Sequence, residues 1–165
     1  NLFYQNIFFV NRAEINKIIS ANNSIEEYTI RKIYPSKLVI NIKQTKFIAK
    51  LFNEDEFLVG SNGKLILNET RSVKLPYIEG EFNSKEFLKL KKTIDFSIFD
   101  FEDFKSILFY SSKRWDLLTN EDILIKLPKY ELLKSLNLAN KIIKDNRFKN
   151  NKIIDLRTLN HLVIK

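Results

Sequence analysis

The chain has 165 residues, of which 44% are apolar, with three glycines, three prolines, no cysteine and a net charge of +8. This composition suits one larger or two small folded domains, and it excludes disulfides, thiolate catalysis and cysteine-rich zinc sites. The lysines are scattered among acidic residues and form no basic arm, which favours solvated charged faces over a phosphate-binding surface.

A helix and a β-hairpin are predicted at the start of the chain. Asn11, with Glu14 three residues later, is typical of a helix start, and apolar residues recur at helical spacing over 13–19. After a polar break, residues 28–33 begin a β stretch that a proline turns. The alternation over residues 38–42 is that of a half-buried strand.

The sharpest local signal is the run Ser61-Asn62-Gly63-Lys64. It lies between the apolar segments 57–59 and 65–67, and it predicts a two-residue hairpin turn in which Asn62 and Gly63 both adopt positive φ. A domain boundary is expected soon afterwards, at Leu75-Pro76 with Gly80, because proline and glycine interrupt the pattern there.

The second half of the chain is predicted to alternate helices and strands. Ser84 is a candidate helix cap, whereas residues 100–110 combine helix-like charges with strand-like aromatics and stay ambiguous. The remaining predictions are a strand over 115–119, a polar turn at 120–122, a strand over 123–128, a helix over 130–145, and tail strands over 153–157 and 159–165. The predicted fold class is therefore α+β.

The tail strand leaves one backbone edge of the predicted sheet free. Residues 159–165 contain one histidine, one lysine and no proline, so the edge has little of the charge or proline that usually blocks pairing. A partner could add a strand here, with affinity from main-chain hydrogen bonds and specificity from alternate side chains. The alternative, which the pattern alone favours, is that this strand merely closes a sheet.

Five short motifs occur in an order that resembles the bacterial cell division family FtsQ/DivIB. They are the run from Ile30 to Ile42 with its Tyr34-Pro35 pair and the later Ala49, the segment from Val59 to Leu65, Leu75-Pro76 with Gly80, Lys113-Arg114-Trp115-Asp116-Leu117 followed by Ile125-Lys126-Leu127-Pro128, and Ile154-Asp155-Leu156-Arg157. The resemblance implies a partial POTRA-like domain over 1–75, whose first strand and helix lie outside this sequence, and an FtsQ-type β domain over 76–165.

The resemblance also implies a function. Members of this family are non-catalytic divisome scaffolds that bind FtsB and FtsL and help to recruit and regulate the septal peptidoglycan synthase. They cross the inner membrane once, by a helix outside this sequence, and this part would lie in the periplasm at the septum. No cofactor, metal or nucleic acid is expected.

By position, the resemblance also implies a partner-binding strand. Its residues would be Thr158, Leu159, Asn160, His161, Leu162, Val163, Ile164 and Lys165. Asn160, Leu162 and Ile164 are expected to face one side of the sheet. His161, Val163 and Lys165 are expected to face the other side. Either Lys113 or Arg114 would supply a charge for an acidic partner residue.

Parts of the sequence are compatible with three other functions. One is a different POTRA-bearing protein, a chaperone-like binder in outer-membrane protein assembly or secretion, and another is a basic nucleic-acid-binding module. An enzyme would have to use His161, the single histidine, or the carboxylates of Asp100, Glu102 and Asp103. An interface histidine and a solvated acidic face are the favoured interpretations of these residues.

Overall fold

The chain forms two compact units, Asn1–Lys46 and Phe47–Lys165. The computed structural model describes residues 6–52, 54–67, 74–148, 151–158 and 161–164, and at positions 54–56, 161, 162 and 164 it describes the backbone alone. None of the helices within these ranges is both long and apolar enough to span a bilayer.

The first unit is a helix packed on a two-stranded sheet. Helix α1 spans Arg12–Ser20, and the antiparallel strands β1 and β2 span Ile25–Ile33 and Lys37–Gln44. Asn11 caps the helix, because its side chain accepts a hydrogen bond of 2.9 Å from the Ala13 amide. The buried residues Val10, Ile15, Ile19 and Ile30 form the core. The predicted helix and hairpin are thereby confirmed.

The second unit is built on a single nine-stranded sheet with the order β11-β10-β9-β8-β7-β6-β3-β4-β5. Its elements are β3 Phe47–Leu51, β4 Glu54–Gly60, β5 Leu65–Leu67, β6 Tyr77–Gly80, α2 Ser84–Asp95, β7 Phe104–Phe109, β8 Trp115–Thr119, β9 Leu124–Lys126, α3 Leu132–Lys144, β10 Ile153–Thr158 and β11 His161–Ile164. Strand pairing is parallel at β3–β6, β6–β7 and β9–β10 and antiparallel elsewhere. The fold is α+β, as predicted.

One row of apolar side chains crosses the sheet and forms the floor of the core. Register aligns the members of this row from β3 to β10: Leu51, Ile78, Ile107, Leu117, Ile125 and Ile154, all buried. Phe87 and Leu90 from α2, and Leu136 and Ala139 from α3, belong to the same core cluster. Each large side chain buried there stabilises the fold by about 1.5–3 kcal/mol. Both helices therefore cover this face of the sheet.

Three hairpins of the second unit share one turn geometry. The turns start at Gly60, Tyr110 and Thr119. In the first turn, the Gly63 amide donates to the Gly60 carbonyl, and the Gly60 amide donates to the Lys64 carbonyl. The turns that start at Tyr110 and Thr119 repeat both hydrogen bonds at the same spacing. The fourth residue of each turn has positive φ: 74° at Gly63, 61° at Lys113 and 63° at Asp122. Asn62 is not among the described residues with positive φ, so the predicted two-residue turn is wrong although the hairpin itself is confirmed.

The structure places the domain boundary after Lys46 and not after Leu75. Strands β3 to β5, assigned to the first domain by the prediction, belong to the same sheet as β6, because β3 pairs with β6 at Lys50 and Leu51. Gly80 does not mark a hinge. Its φ is 91°, and a Cβ atom there would lie 2.1 Å from the carbonyl oxygen of Phe109, so glycine is required by the close approach of two strands.

The structure corrects one further local prediction and resolves one ambiguous segment. Asn83, not Ser84, caps helix α2 through a 3.1 Å hydrogen bond from the Glu86 amide, while the Ser84 hydroxyl donates to the Gly63 carbonyl at 2.7 Å. The ambiguous segment 100–110 divides into a short 3-10 turn and strand β7. The other predicted strands and the helix over 130–145 are confirmed, with ends shifted by a few residues.

Candidate functional site

Strand β11 forms one edge of the nine-stranded sheet. It pairs on one side with β10, through Ile154 with Ile164, Asp155 with Val163 and Thr158 with His161. Within the described ranges, no strand pairs with its other side. Backbone donors and acceptors along that side are therefore open to a further strand.

The structure covers the predicted partner-binding strand in part. Leu159, Asn160 and Lys165 lie outside the described residues. Thr158 belongs to the preceding strand, β10, so the edge strand begins at His161 and not at Thr158. Val163 is 44% exposed and sits opposite Asp155, whereas the position of Ile164 is opposite buried Ile154. This register agrees with the predicted alternation at these two positions.

A polar row crosses the sheet beside this edge. Register aligns Asp116 of β8 with Lys126 of β9, Lys126 with Asp155 of β10, and Asp155 with Val163 of β11. These positions alternate with the apolar row, so they lie on the face opposite the helices, here called the open face. Arg157 chelates the Asp155 carboxylate through Nε, at 2.8 and 3.0 Å, and this hydrogen bonding lowers the pKa of Asp155. The open face thus carries opposite charges that lead to the edge.

Asp116 is a buried acid at the inner end of this row. Its residue is only 2% exposed, the Tyr110 hydroxyl donates to Oδ2 at 3.1 Å, and Oδ1 has no hydrogen-bond partner in the described part of the chain. Burial raises the pKa of Asp116, although the Tyr110 hydrogen bond and the positive charges of Arg114, Lys126 and Arg157 oppose the rise.

The two candidate cations, Lys113 and Arg114, act on different faces. The Arg114 guanidinium stacks on the Tyr110 ring, 4.2 Å from its centroid, on the same side as Asp116. Lys113 is exposed, and its charge reaches Glu86 of α2, whose pKa is lowered first by a hydrogen bond from Lys89. The structure therefore brings Arg114, and not Lys113, to the open face.

The candidate catalytic carboxylates make local contacts at the start of β7. The Asp103 carboxylate accepts a 2.8 Å hydrogen bond from the Asp100 amide and so caps the 3-10 turn Phe101–Asp103. Glu102 lies within this turn. In the ranges that the structure describes, no three His, Cys, Asp or Glu residues come together as metal ligands could. For His161 only the backbone is described, on the edge strand.

Sequence reasoning missed Tyr110 and Asp116 as members of this site. Asp116 alternates with Trp115 and Leu117 along a strand, and this period placed it on the face away from the core. Its contact with Tyr110 depends on the hairpin turn between β7 and β8, which the ambiguous pattern over 100–110 did not reveal. Trp115 itself is 2% exposed and belongs to the core.

The second unit is thus an open α+β sheet with a charged row beside one of its edges. Residues 51–157 match the family described as cell division protein FtsQ/DivIB, C-terminal. The chain therefore belongs to the FtsQ/DivIB family of cell division proteins. The match begins close to Phe47, where the second unit starts, and it favours a role in cell division over outer-membrane assembly or nucleic-acid binding.

Individual relatives agree with this assignment. The chain is 35% identical over 95 residues to cell division protein DivIB of Clostridium botulinum, covering 54% of this chain and 37% of that protein. It is 24% identical over 173 residues to cell division protein FtsQ of Bradyrhizobium diazoefficiens, covering 96% and 48%. The chain thus spans less than half the length of these relatives.

A solved structure is also similar to part of the chain. The major extracytoplasmic domain of the trans isomer of DivIB from Geobacillus stearothermophilus aligns with a TM-score of 0.46 and 13% identity, over 61% of this chain and 92% of that one.

Proposed function

We propose that this chain is the periplasmic part of a non-catalytic divisome scaffold, anchored in the inner membrane by a single helix outside this sequence. It binds FtsB/FtsL-type partners at the septum and helps to recruit and regulate septal peptidoglycan synthesis. Membership of the FtsQ/DivIB family supports the cell division role, and the resemblance of the motifs supports the partners. The observation that carries the binding mode is the free side of strand β11.

The proposed binding mode is strand addition to β11. A partner segment in extended conformation would form main-chain hydrogen bonds with the free side of His161–Ile164, each contributing about 1 kcal/mol net. The exposed Val163 offers a side-chain contact on the open face. Arg114 lies on the same face and would attract an acidic partner residue, to which it can donate charge-assisted hydrogen bonds.

Leu162→Pro tests the edge, because proline removes an amide donor and its ring obstructs an incoming strand. The measurement is a calorimetric titration of the chain with the periplasmic segment of an FtsB-like protein. We expect the variant to lose at least about tenfold in affinity, which is a little over one backbone hydrogen bond. Its melting temperature should stay close to that of the wild type, because β11 lies at the edge.

Ile66→Pro is the matched control, since it places the same residue in β5, the strand at the other edge of the sheet. It should bind the segment as the wild type does. Equal affinity of the wild type and Leu162→Pro would refute strand addition at β11. Loss of binding in both proline variants would show that proline acts through the stability of the sheet.

A further inference from the structure

Arg114 differs from the other arginines that the structure describes in the second unit. Arg147 and Arg157 each chelate an aspartate two residues earlier, Asp145 and Asp155. Arg114 has no described carboxylate within ion-pair distance, and its buried Nε has no hydrogen-bond partner among the described residues. Its guanidinium rests on the Tyr110 ring, and none of the described carboxylates forms an ion pair with it.

Tyr110 is itself held in position by Asp116. Its hydroxyl donates to Oδ2 of Asp116, whose residue is 98% buried in the middle of the sheet. Burial first, and then the negative charge of Asp116, raise the pKa of Tyr110, so the hydroxyl keeps its proton and remains a donor. The hairpin turn adds a second constraint, because the Tyr110 amide donates to the Arg114 carbonyl at 3.1 Å.

We propose that Tyr110 and Asp116 are positioning residues that hold Arg114 on the open face, ready to bind a carboxylate of the partner strand. Asp116 orients the Tyr110 ring, and the ring holds the guanidinium in place without neutralising it. An aspartate in direct contact with Arg114 would compete with the partner's carboxylate, whereas an aromatic face does not. This inference rests on the proposed function, because it concerns the partner that binds at β11.

The first test needs no partner. NMR of the full chain would follow the Nε–H and Cδ–H signals of Arg114, which the Tyr110 ring shifts upfield at a distance of 4.2 Å. Tyr110→Leu should abolish the ring shift, and Tyr110→Phe, which retains the ring but not its hydrogen bond to Asp116, should reduce it. Tyr130→Leu is the matched control, because Lys129 lies over the Tyr130 ring at 5.4 Å in a comparable cation–π pair elsewhere.

The second test measures the partner. The probe is the periplasmic segment of an FtsB-like protein, compared with versions in which each Glu or Asp is replaced in turn by Gln or Asn. Arg114→Gln should weaken binding of the acidic segment roughly tenfold, as expected for a charge-assisted hydrogen bond. Tyr110→Leu should weaken it roughly two- to fivefold, in line with the loss of a cation–π contact. One amide version should be insensitive to both changes.

The double variant separates positioning from a general effect on folding. If Tyr110 acts through Arg114, Tyr110→Leu should have no further effect in the Arg114→Gln background. Equal losses for the acidic segment and all its amide versions would overturn the proposal, as would Arg114 signals unchanged by Tyr110→Leu. Absence of binding by the wild-type chain would refute the proposed function and the partner carboxylate with it, while the NMR result would still decide whether Tyr110 holds Arg114.

Discussion

Asp116 shows how a single residue can stabilise a site at some cost to the fold. Its carboxylate is buried, receives one hydrogen bond and leaves one oxygen without a partner in the described part of the chain. Burial of an acid with incomplete hydrogen bonding disfavours the charged form. The residue is therefore better explained by what it orients than by what it adds to stability.

Asp116→Asn should change how stability depends on pH. The pKa of Asp116 is raised above its ordinary value of 3.8, so in the folded state the group keeps its proton to higher pH than in the unfolded state. Its contribution to the free energy of unfolding is therefore present below pH 3.8 and is lost as pH rises through the folded pKa. Asparagine does not ionise, so its contribution does not fall with pH. The free energy of unfolding of the variant should therefore rise relative to that of the wild type between pH 3.8 and the folded pKa, and the difference should persist at higher pH.

Urea unfolding of both proteins between about pH 3 and pH 8 checks this expectation. The carboxylates with lowered pKa, such as Asp145 at about 2, titrate equally in both proteins and cancel in the difference. A difference that stays flat with pH would contradict a raised pKa at Asp116.

Among the elements, the three similar turns differ in how well their residues suit them. Positive φ costs glycine nothing, and aspartate tolerates it, but a lysine in this conformation is strained by roughly 1 kcal/mol. Gly63 and Asp122 fit their turns, whereas Lys113 does not. The turn at Lys113 separates Tyr110 from Arg114, so the strain lies beside the candidate site.

Lys113→Gly should stabilise the chain by about 1 kcal/mol, because it relieves this strain. Affinity for the FtsB-like segment should stay unchanged, since the charge of Lys113 reaches Glu86 and not the open face. Thermal unfolding and calorimetry of the variant measure the two effects. A fall in affinity would assign the partner charge to Lys113 in place of Arg114.

The period of apolar residues was sufficient to predict most elements. Helices α1 and α3 and the strands around the Ser61–Lys64 turn have clear patterns, because one face of each is buried. Strand β7 lacks a clear pattern, since its charged residues fit the period of a helix and its aromatic residues fit that of a strand. The edge position of β11 and the charged row both depend on pairing and register between strands, which no local pattern contains.

At the scale of the whole molecule, the two units have separate cores. One cluster contains buried residues between positions 49 and 156, and the other contains buried residues between positions 10 and 30. The misplaced boundary has a physical origin. Gly80 permits the close approach of β6 and β7, and the Pro76 carbonyl accepts a hydrogen bond from the Lys50 amide of β3. A sequence pattern cannot distinguish these roles from a linker.

The fragment 47–165 should therefore fold without residues 1–46. It contains the complete nine-stranded sheet with α2 and α3, so we expect a single cooperative unfolding transition and a stability within the usual 5–15 kcal/mol. It should also bind the FtsB-like segment with the affinity of the whole chain. Circular dichroism melting and calorimetry of the fragment are the measurements, and an unfolded fragment would show that the units depend on each other.

The free side of β11 also makes the chain complementary to a second copy of itself. An antiparallel edge can pair with its own image about a two-fold axis, so two molecules can join edge to edge through the same backbone groups that a partner would use. Formation of this dimer would compete with binding of the partner by mass action. In a cell, the complex with the partner would be favoured when the concentration of the scaffold is low. At high concentration, dimerisation would occupy the β11 edge of the surplus copies.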